Sequence, residues 1–227
     1  MLSKYYVIVP VAGKGSRFGS TLPKQYTLIN GISILEHTLS ALLLVDRIEQ
    51  IILVASPDDN NIDVYQSISP KLTIHKVGGI TRAHSVINGL KKLNCHAHDW
   101  VLVHDAARCC ITPKMVNMLI DKLSINPVGG ILAHQSTDTV KYVTDNVIDK
   151  TIPRECIYLA QTPQMFRYHI LYDALDNADL SLVTDEASAV EQLGLTVQII
   201  INDNTNIKVT YPHDIKLAEL LLMKNHD

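Results

Sequence analysis

The residues best equipped for chemistry stand early in the chain. They form Pro10-Val11-Ala12-Gly13-Lys14-Gly15-Ser16-Arg17-Phe18-Gly19, followed shortly by Pro23-Lys24-Gln25. Glycines there free the backbone to bring N–H groups against a phosphate. A dinucleotide site needs G-x-G-x-x-G opening a helix, and here the third glycine falls one place late while Pro23-Lys24 keeps the segment non-helical. A Walker loop needs Lys after its last glycine, and none follows Gly19. Two readings remain: a long loop that wraps a nucleoside triphosphate with Arg17 and Lys24 as its cations, or an ordinary strand-to-helix turn. The two cations favour the first. Asp105 ends an apolar run, where open α/β sheets place ligands. It could hold Mg²⁺ bridging triphosphate oxygens or cap the next segment, and Ala106-Ala107-Arg108 beside it favours the metal. Arg82 either contacts a nucleotide or flanks a helix start. Lys208, at a strand end, is by default a solvated lysine. Thr184 reads as a helix N-cap. His104 reads as a packed core histidine, and Cys109-Cys110 as buried thiols.

The elements that must position these residues alternate in type. Tyr5–Val9, Gln50–Ala55, Leu72–Val77 and Trp100–His104 read as buried strands, and Gly130–Ala133 begins another. Ile34–Val45, Ala83–Leu93 and Pro113–Leu123 read as helices, the last with Thr112 as N-cap and Pro113 at its first position. Near-continuous apolar strands alternating with helices predict a parallel sheet covered on both faces. The rhythm breaks between Ser136 and Pro163. There Thr137–Val143 alternates polar and apolar, as a hairpin with a turn near Asp145-Asn146 would. It returns with a helix at Asp185–Leu193 closed by Gly194, a strand at Thr196–Ile201 and a helix at Pro212–Lys224. The expectation is one α/β domain over residues 1–227, with a β-arm inserted at about 136–156.

Composition narrows the partners. Hydrophobic residues are 47% of the 227, enough for a sizeable core. A net charge of −3 argues against a nucleic-acid partner, which needs a broad basic surface. The uncharged run Tyr5–Gly13 is far short of the ~20 residues of a membrane span, so no membrane partner is expected. Four cysteines without a C-x-x-C suit neither a disulfide framework nor a zinc site and point to the cytoplasm.

The loop A-G-x-G-x-R-x-G followed by P-K-Q resembles the signature of sugar-nucleotide pyrophosphorylases and cytidylyltransferases. Later blocks narrow the likeness. They are Gly78-Gly79 with Arg82–Val86, Val103–Arg108, Asp138–Lys141, Gln161–Gln164, Thr184–Ser188 and Asn206–Thr210. In that order, over essentially the whole chain, they resemble the 2-C-methyl-D-erythritol 4-phosphate cytidylyltransferase family of the non-mevalonate isoprenoid pathway. Val11, Ile80 and Cys109 depart from the family pattern, which usually has Ala, an acidic residue and Pro there. The resemblance implies a Rossmann-like three-layer α/β fold and transfer of CMP from CTP to a polyol phosphate, with Mg²⁺ as cofactor. It implies nucleotide contacts at Pro10, Ala12, Gly13, Gly15, Gly79, Arg82, Ser85 and Ala106, and stabilisation of phosphorus charge by Arg17 and Lys24. Arg154 and Lys208 would hold the acceptor phosphate, and Asp105, Arg108, Thr139, Thr162 and Thr184 would line the acceptor side. It further implies a homodimer whose arms cross, so that Thr139 and Arg154 serve the partner's site. The nearest rival is a cytidylyltransferase for another polyol phosphate, such as ribitol 5-phosphate. A non-catalytic nucleotide-binding regulator is disfavoured by the joint presence of Arg17, Lys24, Asp105 and Lys208.

Overall fold

An apolar run without a polar break must be covered on both faces, and Tyr5–Pro10 is: it forms β1 inside a seven-stranded sheet. The computed structural model describes residues 3–13, 18 and 22–224. A short hairpin follows, β2 (Leu28–Ile29) and β3 (Ile32–Ser33), turning through Asn30 and Gly31 at positive φ. Next come α1 (Ile34–Leu43), β4 (Ile48–Val54), β5 (Leu72–His75), α2 (Arg82–Leu90), β6 (Trp100–Val103), α3 (Pro113–Leu123) and β7 (Gly129–Gln135). The hairpin β8 (Val140–Thr144) and β9 (Val147–Ile152) stands apart, as the separate arm expected there. The chain closes with β10 (Tyr158–Arg167), α4 (Tyr168–Asn177), α5 (Glu186–Gln192), β11 (Gln198–Ile201) and α6 (Asp214–Lys224).

The sheet order is β11-β7-β10-β6-β1-β4-β5. Neighbours are parallel except where β10 runs antiparallel to β6 and β7. Two packed faces follow from the period of two along each strand. Val7 and Val9 of β1 join α1 and α3 side chains such as Leu35, Leu39, Val116 and Leu119. Ile8 points the other way, with Val86 of α2, Leu171 of α4 and Val190 of α5. Burial of each such side chain stabilises the fold by roughly 1.5–3 kcal/mol. A third cluster seats α6 on Ile29, Ile34, Cys109, Cys110 and Val209, so the adjacent thiols are apolar packing, as read from the sequence.

Successive strands β1, β4 and β5 step outward one way, and β6 returns to the other side of β1. That reversal opens a crevice at the carboxyl ends of β1 and β6. The glycine loop leaves β1 there, and His104-Asp105 leaves β6 there. β10 and α4 were not anticipated. Pro163 lies inside β10, where a proline argues against a strand. It is tolerated because the β10–β7 pairing breaks register between Ala160 and Gln164, so no ladder bond is asked of it.

Candidate active site

The crevice holds a cleft of about 550 Å³. Its walls are Pro10–Gly13 from β1, Lys24 and Gln25, Gly78–Arg82 ahead of α2, Ser85, Asp105–Ala107 after β6, and Lys208. A second hollow of about 210 Å³ lies beside it, lined by Arg108, Thr162, Gln164, Thr184 and Asp185 among others. Arg82, Asp105 and Lys208 line both. The site is two adjoining chambers with one charge cluster between them.

Asp105 anchors that cluster. Arg82 Nε donates to its Oδ1 at 2.7 Å, Lys208 Nζ meets Oδ2 at 2.7 Å, and Arg108 Nε lies 3.9 Å from Oδ2. Burial pushes the carboxyl up, but Arg82, Lys208 and Arg108 outweigh it and hold it well below the usual carboxylate range. Arg82 also grips Glu186, Nη1 to Oε1 at 2.6 Å and Nη2 to Oε2 at 3.0 Å. Burial opposes charge on both partners, yet a bidentate fork at these distances belongs to an ionised pair, and Arg82 stays charged.

Arg108 is almost spent on protein. Nη1 donates to Asn206 O at 2.8 Å and Nη2 to Ala160 O at 3.2 Å. Its Nε is buried without a hydrogen bond, a free donor beside the smaller chamber. Lys24 Nζ donates to Val209 O at 2.8 Å, which ties the 22–27 loop to the segment carrying Lys208. Gln25 fixes the same loop to β1 by donating to Val11 O at 2.8 Å.

The glycine pair Gly78-Gly79 is steric in origin. A Cβ on Gly78 would strike Ala12 Cβ and sit 2.7 Å from Ala55 O, and one on Gly79 would strike His84 Cβ. Only glycine lets this turn close against the β1 loop. Ser85 Oγ accepts from Gly79 N at 3.0 Å and donates to Thr81 O at 3.2 Å, leaving one lone pair for a ligand.

Of the predicted site residues, Pro10, Ala12, Gly13, Lys24, Gly79, Arg82, Ser85, Asp105, Ala106 and Lys208 line the larger chamber. Arg108, Thr162 and Thr184 line the smaller. Gly15 and Arg17 lie outside the described residues. Thr139 and Arg154 line neither chamber. They stand at the base of the arm, where Arg154 Nη1 donates to Thr137 O at 2.6 Å. Two local readings change. Asp185, not Thr184, caps α5, because its carboxylate accepts from Ser188 N while Ser188 Oγ answers the cap backbone. Lys208 is on the loop after β11, not at a strand end. Glu186 was missed. A fully buried glutamate at the first position of α5 looks in sequence like any acidic residue in a first helical turn.

Mg²⁺ finds a partial seat. Asp105 is the one carboxylate among the described residues lining the larger chamber, and no group of three His, Cys, Asp or Glu suited to a metal occurs among them. Both Asp105 oxygens already accept from cations, but each keeps a second lone pair. That fits a cation drawing its other ligands from phosphates and water.

The two chambers concentrate the positive side chains Lys24, Arg82, Arg108 and Lys208 where two phosphorylated molecules could meet. Such equipment works by placement and charge, and on this fold it defines a nucleotidyltransferase. Comparison with known proteins gives the particular family. The family model for 2-C-methyl-D-erythritol 4-phosphate cytidylyltransferase matches residues 5–224, and the chain belongs to that family. The enzymes so named from Chromobacterium violaceum and Laribacter hongkongensis are each 47% identical to it, covering 95% and 97% of this chain and 96% and 97% of their own. The Francisella tularensis crystal structure of that name superposes with a TM-score of 0.84 at 37% identity, over 96% of this chain and all of that one. A crystal structure of 4-diphosphocytidyl-2C-methyl-D-erythritol synthase gives 0.87 at 36% identity, covering 98% of this chain and all of the other.

Proposed function

We propose that this protein transfers CMP from CTP to 2-C-methyl-D-erythritol 4-phosphate, releasing pyrophosphate and forming 4-diphosphocytidyl-2-C-methyl-D-erythritol for isoprenoid precursors. Family membership over nearly the whole chain carries the reading, and the pair of chambers joined at Asp105 gives it a geometry. CTP occupies the larger chamber, with its phosphates against the N–H groups after β1 and its base toward Gly79 and Ser85. The polyol phosphate occupies the smaller chamber, near Arg108, Thr162 and Thr184.

The attacking phosphate oxygen is already an anion, so the step needs no general base. An acceptor oxygen forms a bond to the α-phosphorus, and the bond to the pyrophosphate oxygen breaks. The difficulty is bringing two polyanions together and stabilising charge on the phosphorus oxygens. Arg17 and Lys24 meet the triphosphate, and Lys208 and Arg82, held by Asp105, stand at the junction of the chambers. Asp105, together with phosphate oxygens, would hold Mg²⁺, which would supply neutralisation of the phosphate charge.

The acceptor site is completed by a second subunit, whose arm brings Thr139 and Arg154. Support comes from the arm itself. Tyr142, Val147 and Ile148 are each more than half exposed on it, and a two-stranded hairpin in water is only marginally stable. No helix of the described residues is long and apolar enough to cross a membrane.

The test is pyrophosphate release with CTP, Mg²⁺ and methylerythritol phosphate, with product identity read by mass. UTP, ATP and GTP should be poor donors, because a site that pairs one base edge leaves buried groups unpaired with another. EDTA should abolish turnover. Good turnover of ribitol 5-phosphate with none of methylerythritol phosphate would overturn the assignment.

A further inference from the structure

Glu186 is the least exposed charged group near the site, and the mechanism above does not use it. Its side chain has no solvent exposure, and both oxygens accept from the two terminal nitrogens of Arg82. The third nitrogen of that guanidinium goes to Asp105. Three of the five Arg82 N–H groups are therefore fixed by two carboxylates, and two are left for a ligand. Arg82 lines both chambers, so the direction of those two donors matters to both substrates.

Capping of α5 does not explain a buried glutamate there. Asp185 and Ser188 already close the helix N-terminus with a reciprocal capping box. Nor is stability a sufficient reason, since buried ion pairs often break even against apolar packing of the same volume. What the pair does supply is a fixed plane for the guanidinium. Its anchorage reaches further. Gln164 of β10 accepts from Ala187 N at 2.9 Å and donates to Asp185 Oδ2 at 2.8 Å, locking the start of α5 to the central sheet. Thr162, two residues earlier, accepts from Asp105 N at 3.0 Å. One strand thus sets both carboxylates that hold Arg82.

We propose that Glu186 is a positioning residue for catalysis: it orients Arg82 at the junction of the two chambers, so that the free guanidinium donors meet the phosphates of both substrates. The inference rests on the cytidylyltransferase reading for its substrates, while its first readout is nucleotide binding alone. CTP binding would be titrated calorimetrically, and turnover of CTP with methylerythritol phosphate measured, for the wild type, Glu186→Gln, Arg82→Lys and the double variant. Thermal melting would report the folded fraction. Gln keeps the volume but turns an amide N–H toward the guanidinium, and Lys keeps the charge but loses the fork. Each single variant should bind CTP more weakly and lose about tenfold or more in kcat/KM per folded site, in line with loss of a charge-assisted hydrogen bond. The double variant should be no worse than Arg82→Lys, because the glutamate acts only through the arginine. Glu186→Gln with normal CTP binding and normal kinetics per folded site would overturn the proposal, as would losses that multiply in the double variant. Should Glu186→Gln not fold, Glu186→Asp takes its place, and wild-type kinetics there would equally overturn it. A wild type that binds CTP but does not turn over methylerythritol phosphate would sink the functional reading, while the CTP titrations would still judge Glu186.

Discussion

The tautomer of His104 is dictated by its neighbours. Nε2 faces the carbonyl of Arg108 at 3.3 Å, so it must carry the proton. Nδ1 then accepts from the Thr162 hydroxyl at 3.1 Å, and that hydroxyl accepts from Asp105 N. The chain is satisfied only by a neutral ring, and complete burial pulls its pKa from 6.5 down to about 4. A depressed folded-state value means the unfolded chain binds the extra proton first. The contribution is therefore complete above pH 6.5 and is lost as pH falls toward 4, by about 3 kcal/mol from this group alone. Urea unfolding across that range should show the loss in the wild type. In His104→Gln, less stable at neutral pH, the acid slope should be shallower, and an equal slope would remove His104 as its source. Lys24 makes a kinetic prediction instead. Lys24→Ala removes the hydrogen bond to Val209 O, worth about 1 kcal/mol, and leaves the central sheet untouched, so the fold should survive. Turnover should fall by about 10²–10³ if the ammonium acts mainly on the transition state. Near-normal turnover would take Lys24 out of the mechanism. At this scale residue type pointed to Lys24 and Asp105, and the family resemblance to Lys208, and all three line the larger chamber. Neither assigned a role to Glu186 or Gln164, although the blocks Thr184–Ser188 and Gln161–Gln164 contain them, because their burial and their partners are set by the tertiary fold.

Elements were legible where local pattern and tertiary placement agree. Pro113–Leu123 appears as predicted because Thr112 caps Met115 N and Pro113 occupies a position that needs no donor. The arm's turn at Asp145-Asn146 was readable too, since both residues take the positive φ such a turn requires. β10 was not, because its antiparallel pairings with β6 and β7 and its interrupted register are decided by distant strands. The arm offers the test at this scale. Its apolar side chains on Val147 and Ile148 are 65% and 59% exposed in the single chain, and they pair with Thr144 and Val143 rather than with any part of the sheet. If a partner covers them, Val147→Lys with Ile148→Lys places two unpaired charges in that contact. Sedimentation should then give the mass of one 25.2 kDa chain instead of two, with loss of turnover. An unchanged mass and rate would mean the arm does not build the assembly.

Across the whole molecule, the arm's Thr139 and Arg154 line neither chamber. Lys24, Asp105 and Lys208 converge on the crevice between β1 and β6, whereas Arg154 remains at the arm's base, hydrogen-bonded to Thr137. The shared site proposed above would take Arg17, Lys24, Asp105 and Lys208 from one chain and Arg154 from the other. Symmetry then makes a sharp prediction. In a two-fold dimer each arm serves the opposite site, so a chain carrying Lys24→Ala and a chain carrying Arg154→Ala damage different halves of the same machinery. Each variant alone should be nearly inactive. When the two are co-expressed, a mixed dimer collects both lesions in one site and neither in the other. Random pairing makes about half the dimers mixed, so roughly a quarter of all sites should regain wild-type turnover. Tagging the two chains differently and purifying through both tags isolates the mixed species, in which the recovered share should rise to about half. Mixed dimers purified this way that remain as inactive as either parent would place Arg154 in its own chain's site, and the shared arrangement would have to be abandoned.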